Sequence, residues 1–320
     1  MNIKPILIVA GEPNSIFLEI FFKSLKKNFF KRPIIIIVSK KLLIKQMKIL
    51  KFNFKLNDIN LNNFENNLNN KSINLINVNY NFKDPFDKIS DKSKNYITEC
   101  FKIALKILKK KNASGLINGP ISKKHFLKGK FQGVTEYLAN ETKIKNDIAM
   151  LIFKKELSVC PVTTHLPLKL VSRHLSKKKI ISKVLLINKF YKKELNKIPK
   201  IAITGLNPHC ESNYISSEED SIIIPAIKYL LKMKFNVEGP FAADTIFMGS
   251  QSKKFDVIIG MYHDQVLTPL KTIFEFKAIN ITLGLPFIRI SPDHGPNTPM
   301  LGKNKSNPAS LIEALKFLDK

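Results

Sequence analysis

Short apolar runs alternate along this chain with longer amphipathic stretches rich in lysine. The apolar runs predict strands at 6–10, 33–38, 74–78, 115–118, 149–153, 158–162, 200–204, 257–260 and 280–290. The amphipathic stretches predict helices at 17–28, 91–110, 177–196, 218–232 and 308–318. Alternation of this kind predicts an α/β fold with a largely parallel sheet. The stretch 53–81 breaks the rhythm. Apart from one strand it is polar and Asn-rich, the pattern of a surface excursion. No internal repeat and no long linker interrupts the chain.

With 320 residues, 44% of them hydrophobic, the chain can bury a large core or two lobes of one. No run of 18 apolar residues exists, so no transmembrane helix is expected. The opening MNIKPILIVAGEP reads as a strand reaching a turn, without the long apolar core of a signal peptide. Cys100, Cys160 and Cys210 are odd in number and widely spaced. They point to a reducing, cytoplasmic setting and to no cysteine metal knuckle.

A net charge of +28 raises the class of nucleic-acid-binding proteins. The kind of charge argues against it. Only Arg32, Arg173 and Arg289 are Arg among 53 basic residues, and the Lys are scattered among Asn and Ile. Proteins that read phosphate and base edges use Arg heavily. A solvated Lys-rich surface fits better, and it can still steer anions toward a cleft.

The scarcity of Arg draws attention to Arg289, which sits in the strand-like run PFIRIS. A charge there is costly unless paired. Its planar fork suits a phosphate or carboxylate in a way Lys cannot copy. The alternative is a pair with a core carboxylate. Lys271 and Asn280 fall in the same block, 260–295, and offer complementary donors for such an anion. Three of the six histidines share one context. His165, His209 and His263 each follow an apolar strand and lie near a turn. Strand C-terminal ends converge on the ligand crevice of an α/β sheet, so these three imidazoles can meet at one divalent metal with a position left open. A hydrogen-bonded structural role remains the alternative for each. Asp244, in EGPFAADTIF, is a candidate to orient a His or to move a proton, with a helix N-cap as its alternative. Asp264 follows His263 and can support it from behind. Asp293-His294 is a further candidate, with a turn as its alternative. Ser122 and Lys123 read as a loop contact or an ordinary helix start. No G-x-G-x-x-G occurs, so a dinucleotide would not use the Rossmann turn.

At these residues the chain resembles the 4-hydroxythreonine-4-phosphate dehydrogenase family of pyridoxal phosphate synthesis. The similarity runs through GEP at Gly11, NGPISK at Asn118, GVTEYLA at Gly133, VTTHLPL at Val162, ITGLNPHC at Ile203 and GPFAADT at Gly239 to the block 260–295. The resemblance implies an isocitrate- or isopropylmalate-dehydrogenase-like fold of two α/β lobes around a cleft. The first lobe would cover about 1–127 with 284–320, the second about 128–283 with dimer contacts. It implies a divalent metal (Zn, Mg or Co) on His165, His209 and His263, and substrate contacts from Thr135, Lys271, Asn280 and Arg289. Asp244 and Lys271 become the candidates for catalysis. It also implies NAD or NADP as hydride acceptor, and a homodimer whose active sites draw ligands from both subunits. The implied reaction oxidises 4-phosphohydroxy-L-threonine to a 3-keto acid that decarboxylates to an amino-ketone phosphate. No nucleic acid or membrane partner is expected.

Three motifs depart from the family pattern. Its G-H-T-E reads Gly133-Val134-Thr135-Glu136, which removes one polar substrate contact. Its opening G-E-P-A-G-I-G-P reads GEPNSIFLE, with Ser15 and Phe17 where glycines are usual. Pro296 follows Asp293-His294-Gly295 where a small turn residue is usual. Val134 keeps a second reading open, a paralogous dehydrogenase for a related four-carbon sugar-acid phosphate.

Overall fold

A computed structural model describes residues 3–61, 67–131, 133–144, 148–210, 217–292 and 294–320. In chain order its elements are β1 (Ile6–Val9), α1 (Phe17–Lys27), β2 (Ile34–Val38), α2 (Lys40–Ile49), β3 (Leu56–Asp58), β4 (Ile73–Asn77), α3 (Lys94–Lys109), β5 (Gly115–Asn118) and α4 (Val134–Glu141). There follow β6 (Ala149–Phe153), β7 (Ser158–Pro161), α5 (Val171–His174), α6 (Lys177–Leu195), β8 (Ile201–Thr204), α7 (Ile224–Lys232) and β9 (Val237–Phe241). The chain ends with α8 (Gly249–Ser252), β10 (Val257–Gly260), α9 (His263–Phe274), β11 (Ile279–Leu283), β12 (Arg289–Pro292) and α10 (Ala309–Leu318).

The chain divides into two units, Met1–Ile144 with Pro286–Lys320, and Lys145–Leu285. The first boundary lies beyond the 127/128 expected from sequence. The reason is α4. Its Tyr137 ring packs against Phe101, Phe126 and Phe131 at centroid distances of 5.6, 5.2 and 5.7 Å, which keeps the helix and Thr135 with the first unit.

The first unit is built on strands in the order β3-β4-β2-β1-β5-β12, and every pairing among them is parallel. β1 (ILIV) and β2 (IIIIV) are buried along their whole length. Continuous apolar runs of this kind belong to parallel strands covered on both faces. The second unit has the order β11-β6-β7-β10-β8-β9. β7, β10, β8 and β9 run parallel, whereas β6 is antiparallel to both β7 and β11. Its core gathers Val159, Ala202, Ile258, Val266, Leu267 and Leu270 between sheet and helix.

The apolar run 280–290 is two strands, not the single one its composition suggests. Gly284 takes φ +96°, and a turn separates β11 from β12. Among the described residues no helix is long and apolar enough to cross a membrane.

Candidate active site

In the second unit three neighbouring parallel strands release three histidines at the same edge. β10 lies between β7 and β8, with Gly260 opposite Pro161 and Ile259 opposite Ile203. His165 follows β7, His209 follows β8, and His263 opens α9 directly after β10. Thr163 fixes the first of these loops to the third, since its amide and hydroxyl both donate to Met261 O, at 3.2 and 2.7 Å.

The rings of His165 and His263 face each other at 5.9 Å between centroids, tilted by 38°. Two imidazoles on one tetrahedral ion, with metal–nitrogen bonds of about 2 Å, hold their centroids roughly 5–6 Å apart. The pair therefore fits a shared metal. Asp264 Oδ1 stands 2.6 Å from His263 Nδ1. That contact leaves Nε2 as the nitrogen a metal could take, the arrangement seen where carboxylates support metal-binding histidines.

His209 stands apart from this pair in character. It and Cys210 both take left-handed backbone, with φ +57° and +59°. Such conformations cost on the order of 1–3 kcal/mol in a non-glycine residue and concentrate at functional positions. The His209 side chain projects into solvent, with Nδ1 4.0 Å from Asp244 Oδ2. Asp244 is exposed in the turn after β9, and the N-cap of α8 is Met248, so the capping role does not apply. Among the described residues no three His, Cys, Asp or Glu side chains of one chain stand close enough to hold an ion. Lys271 lies in the last turn of α9, exposed. Asn280 is on β11, and its Oδ1 is buried without a hydrogen-bond partner among the described residues.

The first unit holds the buried arginine. Arg289 opens β12 and is only 3% exposed. Its Nε donates to Asn118 Oδ1 at 2.7 Å, at the C-terminal end of β5, and Nη1 donates to Thr135 Oγ1 at 3.3 Å, in the first turn of α4. Burial pushes the guanidinium down to about 10, and the Glu136 carboxylate works in the opposite direction. It is still cationic at neutral pH. Thr135 and Arg289 are thus brought together by direct contact. Val134, half-buried, is the first residue of α4 beside them.

The turn after β1 is locked to the same strand end. Gly119 N donates to Val9 O, and Glu12 N to Pro120 O. A Cβ on Gly119 would lie 2.1 Å from Ala10 O and 2.7 Å from the Phe17 ring. The substituted positions of this turn are mutually fitted. Phe17 fills the space against Gly119, Ser15 Oγ donates to Glu12 O, and Ile16 N donates to Pro296 O at 3.2 Å. The Glu12 carboxyl is buried, with Oε2 accepting from Ser93 Oγ and Oε1 without a hydrogen-bond partner among the described residues. Burial raises it to about 7, against the opposing Ser93 hydroxyl and Asn14 amide.

Ser122 is the helix start of its two alternatives, with Oγ accepting from His125 N ahead of the turn Lys123–Leu127. His294 Nδ1 is 3.0 Å from Gly295 O, while Asp293 lies outside the described residues. Asn118 escapes the sequence reading as a site residue. Its one signal is a polar side chain ending an otherwise apolar strand.

The model of the family described as pyridoxal phosphate biosynthetic protein PdxA matches residues 30–318. The chain belongs to the PdxA family. It is 40% identical over 316 residues to a 4-hydroxythreonine-4-phosphate dehydrogenase of Sulfurihydrogenibium sp., a match covering 97% of this chain and 96% of that one. The crystal structure of the 4-hydroxythreonine-4-phosphate dehydrogenase of Klebsiella pneumoniae is similar at 27% identity, with TM-score 0.84 and 98% of both chains covered. Isocitrate dehydrogenase of Methylococcus capsulatus shares the fold at 10% identity and TM-score 0.50, over 97% of this chain and 83% of that one. The expected family and fold class are both met.

Proposed function

We propose that this chain is a metal-assisted, NAD- or NADP-dependent dehydrogenase of 4-phosphohydroxy-L-threonine, serving vitamin B6 synthesis and acting as a homodimer. Membership of the PdxA family supports the substrate class. The observation that carries the chemistry is the facing pair His165 and His263, with Asp264 setting the tautomer of His263. His209 completes the ligand set, from the same or a second copy of the chain. A divalent ion held there would supply Lewis-acid polarisation of the substrate hydroxyl.

The chain's own residues bind and orient the substrate. Arg289 is held rigid by Asn118 and Thr135, so its fork is aimed before an anion arrives. Lys271 and Asn280 supply further donors to the anionic ends of the substrate. Asp244, exposed and close to His209, is the candidate to accept the hydroxyl proton. A bound nicotinamide would supply the hydride acceptor, and with no G-x-G-x-x-G in the chain it would be held without the Rossmann turn.

A second reading rests on Val134. A valine beside Thr135 and Arg289 cannot donate to a substrate polar group, which suits a related four-carbon sugar-acid 4-phosphate. The test of the first reading is turnover of 4-phosphohydroxy-L-threonine by chelator-treated enzyme with and without added Zn²⁺, Co²⁺ or Mg²⁺. Activity restored by metal in the wild type and absent from His263→Ala supports it. Metal-independent turnover contradicts it.

A further inference from the structure

The three strand ends that carry histidines are fastened to one another by buried side chains that bear no ligand themselves. Gln265 lies two residues beyond His263 and is 9% exposed. Its Oε1 accepts from Met261 N at 2.7 Å and from Thr204 Oγ1 at 3.0 Å, and its Nε2 donates to Gly205 O at 2.8 Å. One amide thus ties the end of β10 to the end of β8. Glu219, 1% exposed, lies on the turn Glu219–Ile223 ahead of α7 and grips the loop that leads to His209. Its Oε1 accepts from Leu206 N and Asn207 N at 2.7 and 2.9 Å, and its Oε2 from Asn207 Nδ2 at 2.8 Å.

Two glycines make room for this clasp. A Cβ on Gly205 would lie 2.9 Å from Glu219 Oε1 and 2.7 Å from Cys210 Sγ. A Cβ on Gly260 would lie 2.9 Å from Gln265 Oε1 and 2.4 Å from Val266 Cγ1. Gln265 is flanked by Val266 of the apolar core. A buried amide next to a core is costly unless every polar atom is paired, and here both ends are. With Thr163 on Met261 O, the side chains link the loops of His165, His263 and His209 in series.

We infer that Gln265 and Glu219 are positioning residues for the metal-binding imidazoles. The inference rests on the metal reading proposed above. Gln265 sets the start of α9, and hence His263, against the loop after β8. Glu219 holds that loop so that the left-handed backbone at His209 is kept. Removing either clasp leaves all three imidazoles in the chain but loosens their mutual placement. Loss of such outer partners typically weakens metal binding about 10- to 100-fold.

The experiment is titration of the full chain with Co²⁺ alone, followed by the visible absorption of the bound ion, with far-UV circular dichroism to confirm folding. The wild type should bind Co²⁺, and His263→Ala should not. Gln265→Leu should bind at least 10-fold more weakly, with an altered absorption band. Glu219→Gln retains one carbonyl oxygen and should show the same change to a smaller degree. Thr204→Val removes one donor to Gln265 and is read in place of Gln265→Leu if that variant does not fold. Wild-type affinity and band shape in the folded Gln265 or Thr204 variant, and in Glu219→Gln, would overturn the positioning role while leaving the metal reading intact. Failure of the wild type itself to bind Co²⁺ would overturn both.

Discussion

Arg289 shows how one side chain can be both costly and retained. It is buried, and its fork is held by a neutral amide and a hydroxyl. Arg289→Lys keeps the charge but loses the planar donors, so substrate binding should weaken by roughly 1–3 kcal/mol. Unchanged kcat and KM would make the residue purely structural. Val134 allows a sharper test. If the substrate is the phosphothreonine derivative, Val134→His should hold or raise kcat/KM, because an imidazole regains a polar contact beside Thr135. A large loss on that substrate, in an enzyme whose wild type turns it over, would show that the pocket is built around valine. Glu12 carries a pH signature. Its folded-state value near 7 lies above the ordinary 4.5, so the native state binds the extra proton between these values. Its contribution is fully present below about pH 4.5 and is lost as pH rises through 7. The cost of ionising it amounts to on the order of 3 kcal/mol. Denaturant midpoints should therefore fall between pH 5 and pH 8 more steeply in the wild type than in Glu12→Gln. Parallel trends in the two proteins would contradict this.

Elements differ in how plainly they are written in the sequence. β1, β2 and β10 are short, wholly apolar and bounded by turns, β5 is apolar up to its terminal Asn118, and α1, α3, α6 and α10 hold a helical period long enough to read. α4 is only eight residues long, α9 contains Pro269 and begins within the His263 turn, and α2 is dense in lysine. Each weakens the periodic signal, and all three escape the sequence reading. The candidate site divides in the same way. Histidines after strands are visible because their context is local. Asn118 and Gln265 are not, because their meaning comes from partners far along the chain. Arg289 lies 171 residues from Asn118, and Gln265 lies 61 from Thr204. Close backbone approach between elements is equally hidden. Gly119 is required only because Ala10 O and Phe17 press against it. Gly119→Ala should destabilise the chain by at least 1–3 kcal/mol, the usual cost of overpacking. Chemical denaturation measures it, and an unchanged midpoint would contradict the fit between the turns after β1 and β5.

On the scale of the whole molecule, the charge of +28 is the property most apt to mislead. It is nearly all lysine spread over many elements, while the arginine of the buried strand β12 is held by Asn118 and Thr135. Such a surface should hold DNA at low salt and release it near about 0.15 M, where screening acts over about 8 Å. A gel shift that persists at physiological salt would favour the nucleic-acid class instead. The fold, the family and the facing imidazoles all point to a dehydrogenase of a phosphorylated hydroxy acid. The most direct test is the formation of NADH or NADPH by the purified, metal-loaded chain, with kcat/KM compared for 4-phosphohydroxy-L-threonine and a four-carbon sugar-acid 4-phosphate. The account predicts turnover of both the metal-dependent kind and in favour of the phosphothreonine derivative. No nicotinamide reduction on that substrate, or a preference for the sugar acid, would contradict it.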